Sequence, residues 1–284
     1  MSQDTPFDRR LRRLRRDRAT GRFADADYLH RLVAEELLDR LDSVTRTFER
    51  ALVLGAAGCL LGEGLRARGI AVAFADPSYA FAEAAGGVQC DEDRLPFADS
   101  GFDLVLSIGL LDTVNDLPGA LLLIRRTLVP DGLFLAAFAG AGTLPRLRSA
   151  MMAADTVDGG IAAHIHPQID VRAAGDLLTR AGFALPVVDS HGLDVRFSGL
   201  MPLLDDLRAM GATNVLAARA PRPVSRYGLA AAMADFASHA GPDGKTAERF
   251  EILHLLGWAP APSQPKPAKR GSATTSLAAV LKPR

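Results

Sequence analysis

The sequence predicts an α/β domain built on a mainly parallel sheet, and three observations carry that prediction. Residues 90–138 read as loop, strand, helix, turn and strand. A bend of small residues, Gly55 to Cys59, follows a short apolar run at 51–54. An acid, Asp76, closes a second apolar run at 70–75.

Each element follows from its residues. The run at 103–107 (DLVLS) has the continuous apolar character of a strand buried on both faces. Leu117, Ala120, Leu121, Ile124 and Leu128 recur at helical spacing, and Pro118 suits a first helical turn because its missing N–H is not needed there. Pro130-Asp131-Gly132 reads as a turn, and 133–138 as a second buried strand. A strand, a crossover helix and a strand of this length must leave the two strands parallel.

Upstream, residues 28–41 form a well-patterned amphipathic helix, with Leu29, Leu32, Val33, Leu37, Leu38 and Leu41 on one side. His30 on it reads as a surface or packing residue. Residues 7–23 are strongly basic, with arginines at 9, 10, 12, 13, 15, 16, 18 and 22 and a thin apolar stripe of Phe7, Leu11 and Leu14. A solvated helix face is the leading expectation; an arm for an anionic partner or a lid over a cofactor is the other. Downstream, 171–181 and 199–210 read as helices, and 185–190 and 247–258 as strands. The organisation expected is a helical region at 1–45, a main domain at 46–260 with a helical insert about 192–246, and a disordered Pro/Ala/Lys/Ser-rich tail at 261–284.

Composition excludes several function classes. The 284 residues are 48% hydrophobic, and 33 Lys+Arg balance 33 Asp+Glu, so no global field selects nucleic acid or an anionic membrane. No apolar run approaches the roughly 20 residues that span a bilayer. The basic start is interrupted by Asp4, Asp8 and Asp17 and reads as part of the mature protein. The two cysteines, Cys59 and Cys90, lack metal or redox spacing, so a reducing cytoplasm is expected.

A bend whose backbone N–H groups approach a ligand needs small residues. Gly55, Ala57 and Gly58 are the candidates here. Asp76, followed by Pro77, can accept from both hydroxyls of a ribose, or cap the next helix.

Leu95-Pro96-Phe97, Phe102-Asp103-Leu104-Val105 and Val114-Asn115-Asp116-Leu117-Pro118 resemble motifs of the class I S-adenosylmethionine (SAM) dependent methyltransferases. Within them the chain is most similar to the group of biotin-pathway malonyl-carrier-protein methyltransferases and a mitochondrial complex I assembly factor of the arginine-hydroxylase type. Residues 140–148, 159–167 and 201–214 resemble the latter. The resemblance implies a Rossmann-like fold with a seven-stranded, mostly parallel sheet and an antiparallel last strand. It also implies S-adenosyl-L-methionine as cofactor. Asp76 would hold the ribose, Asp91 would accept from the adenine amino group, the Glu92 backbone would meet the ring, and Ser107 would line the methionine end. The chain departs from the family pattern at Val53, Ala57 and Cys59 around the glycine bend, and at Asp112-Thr113 where relatives carry His-Trp. No residue stands out as a general base.

Three functions follow as expectations. They are a SAM-dependent methyltransferase acting on a protein or carrier-bound substrate, a peptidyl-arginine hydroxylase acting on a complex I subunit, and a non-catalytic assembly protein. No metal is expected. His164 and His166, with Asp155, Asp158 or Asp170, make a weak two-histidine, one-carboxylate candidate, and a hydrogen-bonded loop histidine is the favoured reading.

Overall fold

The computed structural model describes residues 5–55 and 58–265; Ala57 and nearly all of the predicted tail lie outside the described residues. Seven strands form one sheet: β1 (Arg50–Leu54), β2 (Ala71–Asp76), β3 (Val88–Gln89), β4 (Phe102–Ile108), β5 (Leu128–Ala139), β6 (Ala184–Phe197) and β7 (Thr246–Trp258). Their order is β3-β2-β1-β4-β5-β7-β6. Strands β1 to β5 run parallel, and β7 is antiparallel to both β5 and β6, as expected.

The helices are α1 (Arg9–Ala19), α2 (Tyr28–Asp42), α3 (Gly58–Ala67), α4 (Tyr79–Ala84), α5 (Leu117–Thr127), α6 (Pro145–Asp158), α7 (Val171–Arg180), α8 (Leu200–Ala209) and α9 (Arg226–Ser238). Alternation along the strands serves two layers. Val53, Leu104, Leu106 and Leu135 pack toward α2, α3, α6 and α8. Leu52, Val105, Phe134 and Phe138 pack toward α5 and α7. Both faces are therefore dry, which is why the strands read as unbroken apolar runs.

Several boundaries differ from the sequence expectation. The 130–132 turn lies within β5, where Asp131 takes a φ of 64° and the register to β4 shifts. The third strand is only two residues long, and the loop after it carries a 3₁₀ turn at Glu92–Arg94. Strand β6 continues past Ser190 to Phe197. It is an edge strand with β7 as its partner, so a half-exposed surface can carry His191, Gly192 and Asp194, which read as breakers in the sequence. No helix among the described residues is long and apolar enough to cross a membrane.

The sheet order reverses direction between β1 and β4, which opens a crevice at the carboxyl ends of the strands. Gly55 fixes its base. Its φ of +128° disfavours any side chain, and a Cβ there would run into the Ile108 carbonyl oxygen at the tip of β4.

Candidate functional site

Helix α1 lies over this crevice with four of its arginines turned inward. Arg9, Arg12, Arg13 and Arg16 follow the i, i+3, i+4, i+7 spacing of one helix face. Arg12 and Arg16 are each 5% exposed, while Leu14 is 42% exposed. One arginine stripe of the helix is thus turned inward, while Arg10, Leu14 and Arg18 are exposed. This corrects the expectation of a solvated basic face, and the physical reason is the acidic lining beneath it.

Each of the four arginines meets a carboxylate from the end of β2 or from the loop after β3. Arg16 donates to both oxygens of Asp76, at 3.2 and 2.8 Å. Arg12 donates to both oxygens of Glu92, at 2.8 and 2.7 Å, and to the Leu110 carbonyl at 3.0 Å. Arg13 reaches Asp91 at 2.6 Å, Arg9 lies 3.2 Å from the same carboxylate, and Arg9 also binds Asp93. Planar guanidinium groups suit such two-pronged contacts. Burial acts to lower the Arg12 pKa, but Glu92, with the charges of Asp112 and Asp76, outweighs it and raises the value. Burial likewise acts to raise the Asp93 carboxyl, and the hydrogen bond and charge of Arg9, with the Arg94 charge and a backbone hydrogen bond from Asp116, together lower it. Burial pushes the neighbouring Cys90 thiol up to about 12, so it stays protonated.

The structure brings together four of the sequence-derived site residues, Asp76, Asp91, Glu92 and Ser107, around the mouth set by Gly55; each of the four is at most 3% exposed. Asp76 does not cap α4: Ser78 does, through its hydroxyl to the Phe81 N–H, while Asp76 accepts from the Ser78 N–H at 2.8 Å. Pro77 accepts from Gln89 through its carbonyl. Gly58 is the first residue of α3. The Ser107 hydroxyl is buried without a hydrogen-bond partner.

The family resemblance assigns the carboxylates of Asp76 and Asp91 to an adenosyl group at this place. In the described arrangement both are spent on α1, and the Glu92 side chain is spent on Arg12. The arrangement therefore does not fit that group; entry requires α1 to withdraw.

Beside the crevice lies a cavity of about 290 Å³, at the lower end of small-molecule sites. Val33, Leu147, Met151 and Ile252 supply apolar walls, and Asp112 is the only carboxylate among its lining residues. One oxygen of Asp112 is buried and unpartnered. His30 also lines it; its Nδ1 is buried without a partner, and burial, aided by Arg16, brings its pKa down to about 4. Gly109, at φ +61°, leaves room for the His30 ring, which a Cβ would meet at 2.9 Å.

His164 and His166 both reach this cavity but serve different partners. His164 pairs with Asp155 at 2.8 Å, and His166 accepts from the Val215 N–H at 3.0 Å while Phe7 packs edge-on against its ring. Asp158 instead binds Ser225, and Asp170 caps α7. Among the described residues these groups are held by separate partners, and His164 is a hydrogen-bonded loop residue. Sequence reasoning missed the arginine face and the Asp112 oxygen. The spacing 9, 12, 13, 16 was the available signal for the first; the second depends on tertiary packing.

Comparison with known proteins places this architecture. A methyltransferase-domain family matches residues 52–136. The mitochondrial arginine-hydroxylase NDUFAF5 of Danio rerio is 37% identical over 97% of this chain and 89% of its own length. The Homo sapiens protein of that name is 35% identical, over 95% and 82%. A malonyl-[acyl-carrier protein] O-methyltransferase of Halorhodospira halophila is 30% identical, over 89% and 88%. The chain belongs to this methyltransferase-fold family. Solved structures agree on the fold: the YcgJ protein of Bacillus subtilis superposes with a TM-score of 0.55 at 13% identity, covering 80% of this chain and 99% of its own. A SAM-dependent methyltransferase of Thermotoga maritima gives 0.52 at 13% identity, covering 87% and 99%. Within the family match, the N-terminal arginine helix lies outside the methyltransferase-domain segment but inside the stretch shared with the arginine-hydroxylase relatives.

Proposed function

We propose that this chain modifies an arginine side chain of a partner protein, and that a respiratory complex I subunit, the partner class implied by the sequence resemblance, carries that arginine. The observation that supports this reading is Asp112. It is the cavity's only carboxylate among the lining residues, and one of its oxygens is buried without a partner. A guanidinium, with five N–H donors in one plane, satisfies such an oxygen, and the apolar walls accept the methylene stem. The relatives named arginine-hydroxylase are 37% and 35% identical to this chain against 30% for the carrier-protein methyltransferase, which favours arginine over a carrier-bound ester as substrate. The free thiols Cys59 and Cys90 are in keeping with a reducing compartment, the cytoplasm in our reading.

SAM-dependent methyl transfer is the second reading. It is favoured by Asp76 and Asp91 at the strand ends and by the unpartnered Ser107 hydroxyl, and it requires α1 to leave.

The test is capture and modification of an arginine-bearing peptide by the full chain, in air with a reductant and with SAM. Peptide binding that weakens about tenfold or more in Asp112→Asn supports the cavity as the arginine site, since a hydrogen bond to a charged group contributes about 1.5–3 kcal/mol. Mass spectrometry then separates the chemistries: gain of an oxygen atom supports hydroxylation, and gain of a methylene supports methyl transfer. Unchanged binding in Asp112→Asn defeats the arginine reading. Absence of heat with SAM and S-adenosylhomocysteine, in the parent and in Arg16→Ala, defeats the second.

A further inference from the structure

A second group of polar side chains sits on the same side of the sheet, away from the cavity lining. We propose that Glu36, His191 and His254 form a binding site for one divalent first-row transition-metal ion of the zinc or iron(II) class. This inference does not depend on the function proposed above.

Three elements build the site. His254 lies on β7 opposite Asp189, and His191 lies on β6 opposite Ile252, so the two histidines are diagonal neighbours on one face of the antiparallel pair. Their rings stack at 5.2 Å between centroids with 17° between planes. Glu36 comes down from α2 onto the same face. One ligand atom from each residue lies within 4.8 Å of the others.

The contacts have the dimensions of a coordination shell. His254 Nε2 is 3.1 Å from one oxygen of Glu36, and His191 Nε2 is 3.3 Å from the other. Yet Glu36 Oε2, His191 Nε2 and both ring nitrogens of His254 are buried without a hydrogen-bond partner. The atoms are close but not aligned to share a proton. Bonds of about 2.1 Å to a common ion put neighbouring donors roughly 3.0–3.4 Å apart, for octahedral to tetrahedral angles. Each histidine already stands at that distance from one oxygen of Glu36, and a common shell forms when the set, now within 4.8 Å, draws in around an ion.

His254 is the independent pointer to a ligand. Its side chain is 1% exposed, and a polar ring in that position with neither nitrogen satisfied is costly unless something binds it. Glu36, 31% exposed, leaves one side of the cluster open to solvent, so an ion has a path in and a water can complete its shell. The adjacent cation is accounted for: Arg40, one turn beyond Glu36, donates to both oxygens of Asp189 at 2.8 and 2.7 Å. Two imidazoles and one carboxylate select zinc, iron(II), cobalt or nickel over magnesium or calcium, which prefer all-oxygen shells.

The full chain, stripped of metal with a chelator, is titrated with Zn²⁺ by calorimetry and with Co²⁺ by visible absorption. The expected result is saturation at a single equivalent, with d–d bands for Co²⁺. The half-exposed ligands are tested by Glu36→Gln and His191→Ala, with folding verified by circular dichroism. Each is expected to weaken Zn²⁺ by tenfold or more, while His164→Ala, in the loop, binds as the parent does. Failure of the parent to saturate at one equivalent overturns the proposal. So does unchanged affinity in both Glu36→Gln and His191→Ala, or loss of the site in His164→Ala alone.

Discussion

Two charged regions of this molecule handle burial in opposite ways. Under α1, four arginines and four acids are matched one against another, and Arg12, Arg16, Asp76 and Glu92 are nearly removed from water. At the β6–β7 edge, Glu36, His191 and His254 approach one another yet leave four polar atoms unpartnered. The first region is complete within the chain; the second is not. The contrast shows that charge density along a sequence is a poor guide to function: the more basic segment is the structural one in this conformation.

Breaking the matched region has the largest expected effect. Arg16→Met strands Asp76, and loss of one partner of a buried pair costs about 3–5 kcal/mol. The melting temperature is expected to fall by roughly 10 °C on calorimetric unfolding. A change of a degree or two would show that the pair is far wetter than its geometry implies. Completing the unmatched region should act in the opposite direction. Zn²⁺ at a hundred times its dissociation constant is expected to stabilise the parent by about 2.7 kcal/mol, and Glu36→Gln by much less, read as a shift in the urea midpoint.

Acidity probes the border between the two regions, where His30 lies. Its folded-state pKa is depressed to about 4 by burial, against an ordinary 6.5. As pH falls through about 6.5 the unfolded chain takes up this proton and the folded chain does not. Stability is therefore full above about 6.5 and is lost progressively down to about 4, by about 1–3 kcal/mol. His30→Gln should flatten that part of the pH–stability curve; an identical slope in parent and variant refutes the assignment. The smallest effect is expected at an exposed pair. Arg126 and Asp99 are 51% and 64% exposed, so Arg126→Ala should cost no more than about 1 kcal/mol in the same denaturation assay.

The β1–β5 core was legible because its strands are buried on both faces, and the helices at 28–42 and 117–127 because their apolar residues keep one period. The positions of Asp76 and Asp91 were legible for the same reason, since a strand end carries its acid with it. What they bind in this conformation was not. Arg16 and Asp76 come together only once the sheet is assembled, and nothing local distinguishes a buried arginine stripe from a solvated one. The full length of β6 was hidden because an edge strand tolerates polar residues and Gly192. The Glu36–His191–His254 group draws on three distant segments and has no spacing to read.

The docked N-terminal helix also has a consequence for the order in which the chain assembles. Its arginines meet carboxylates 60 to 84 residues further along, and those carboxylates share a crevice only after β1, β2 and β3 have aligned. The loop-closure entropy of such distant contacts is recovered only late. The segment that seals the crevice can therefore dock only on a sheet whose first three strands are already in place.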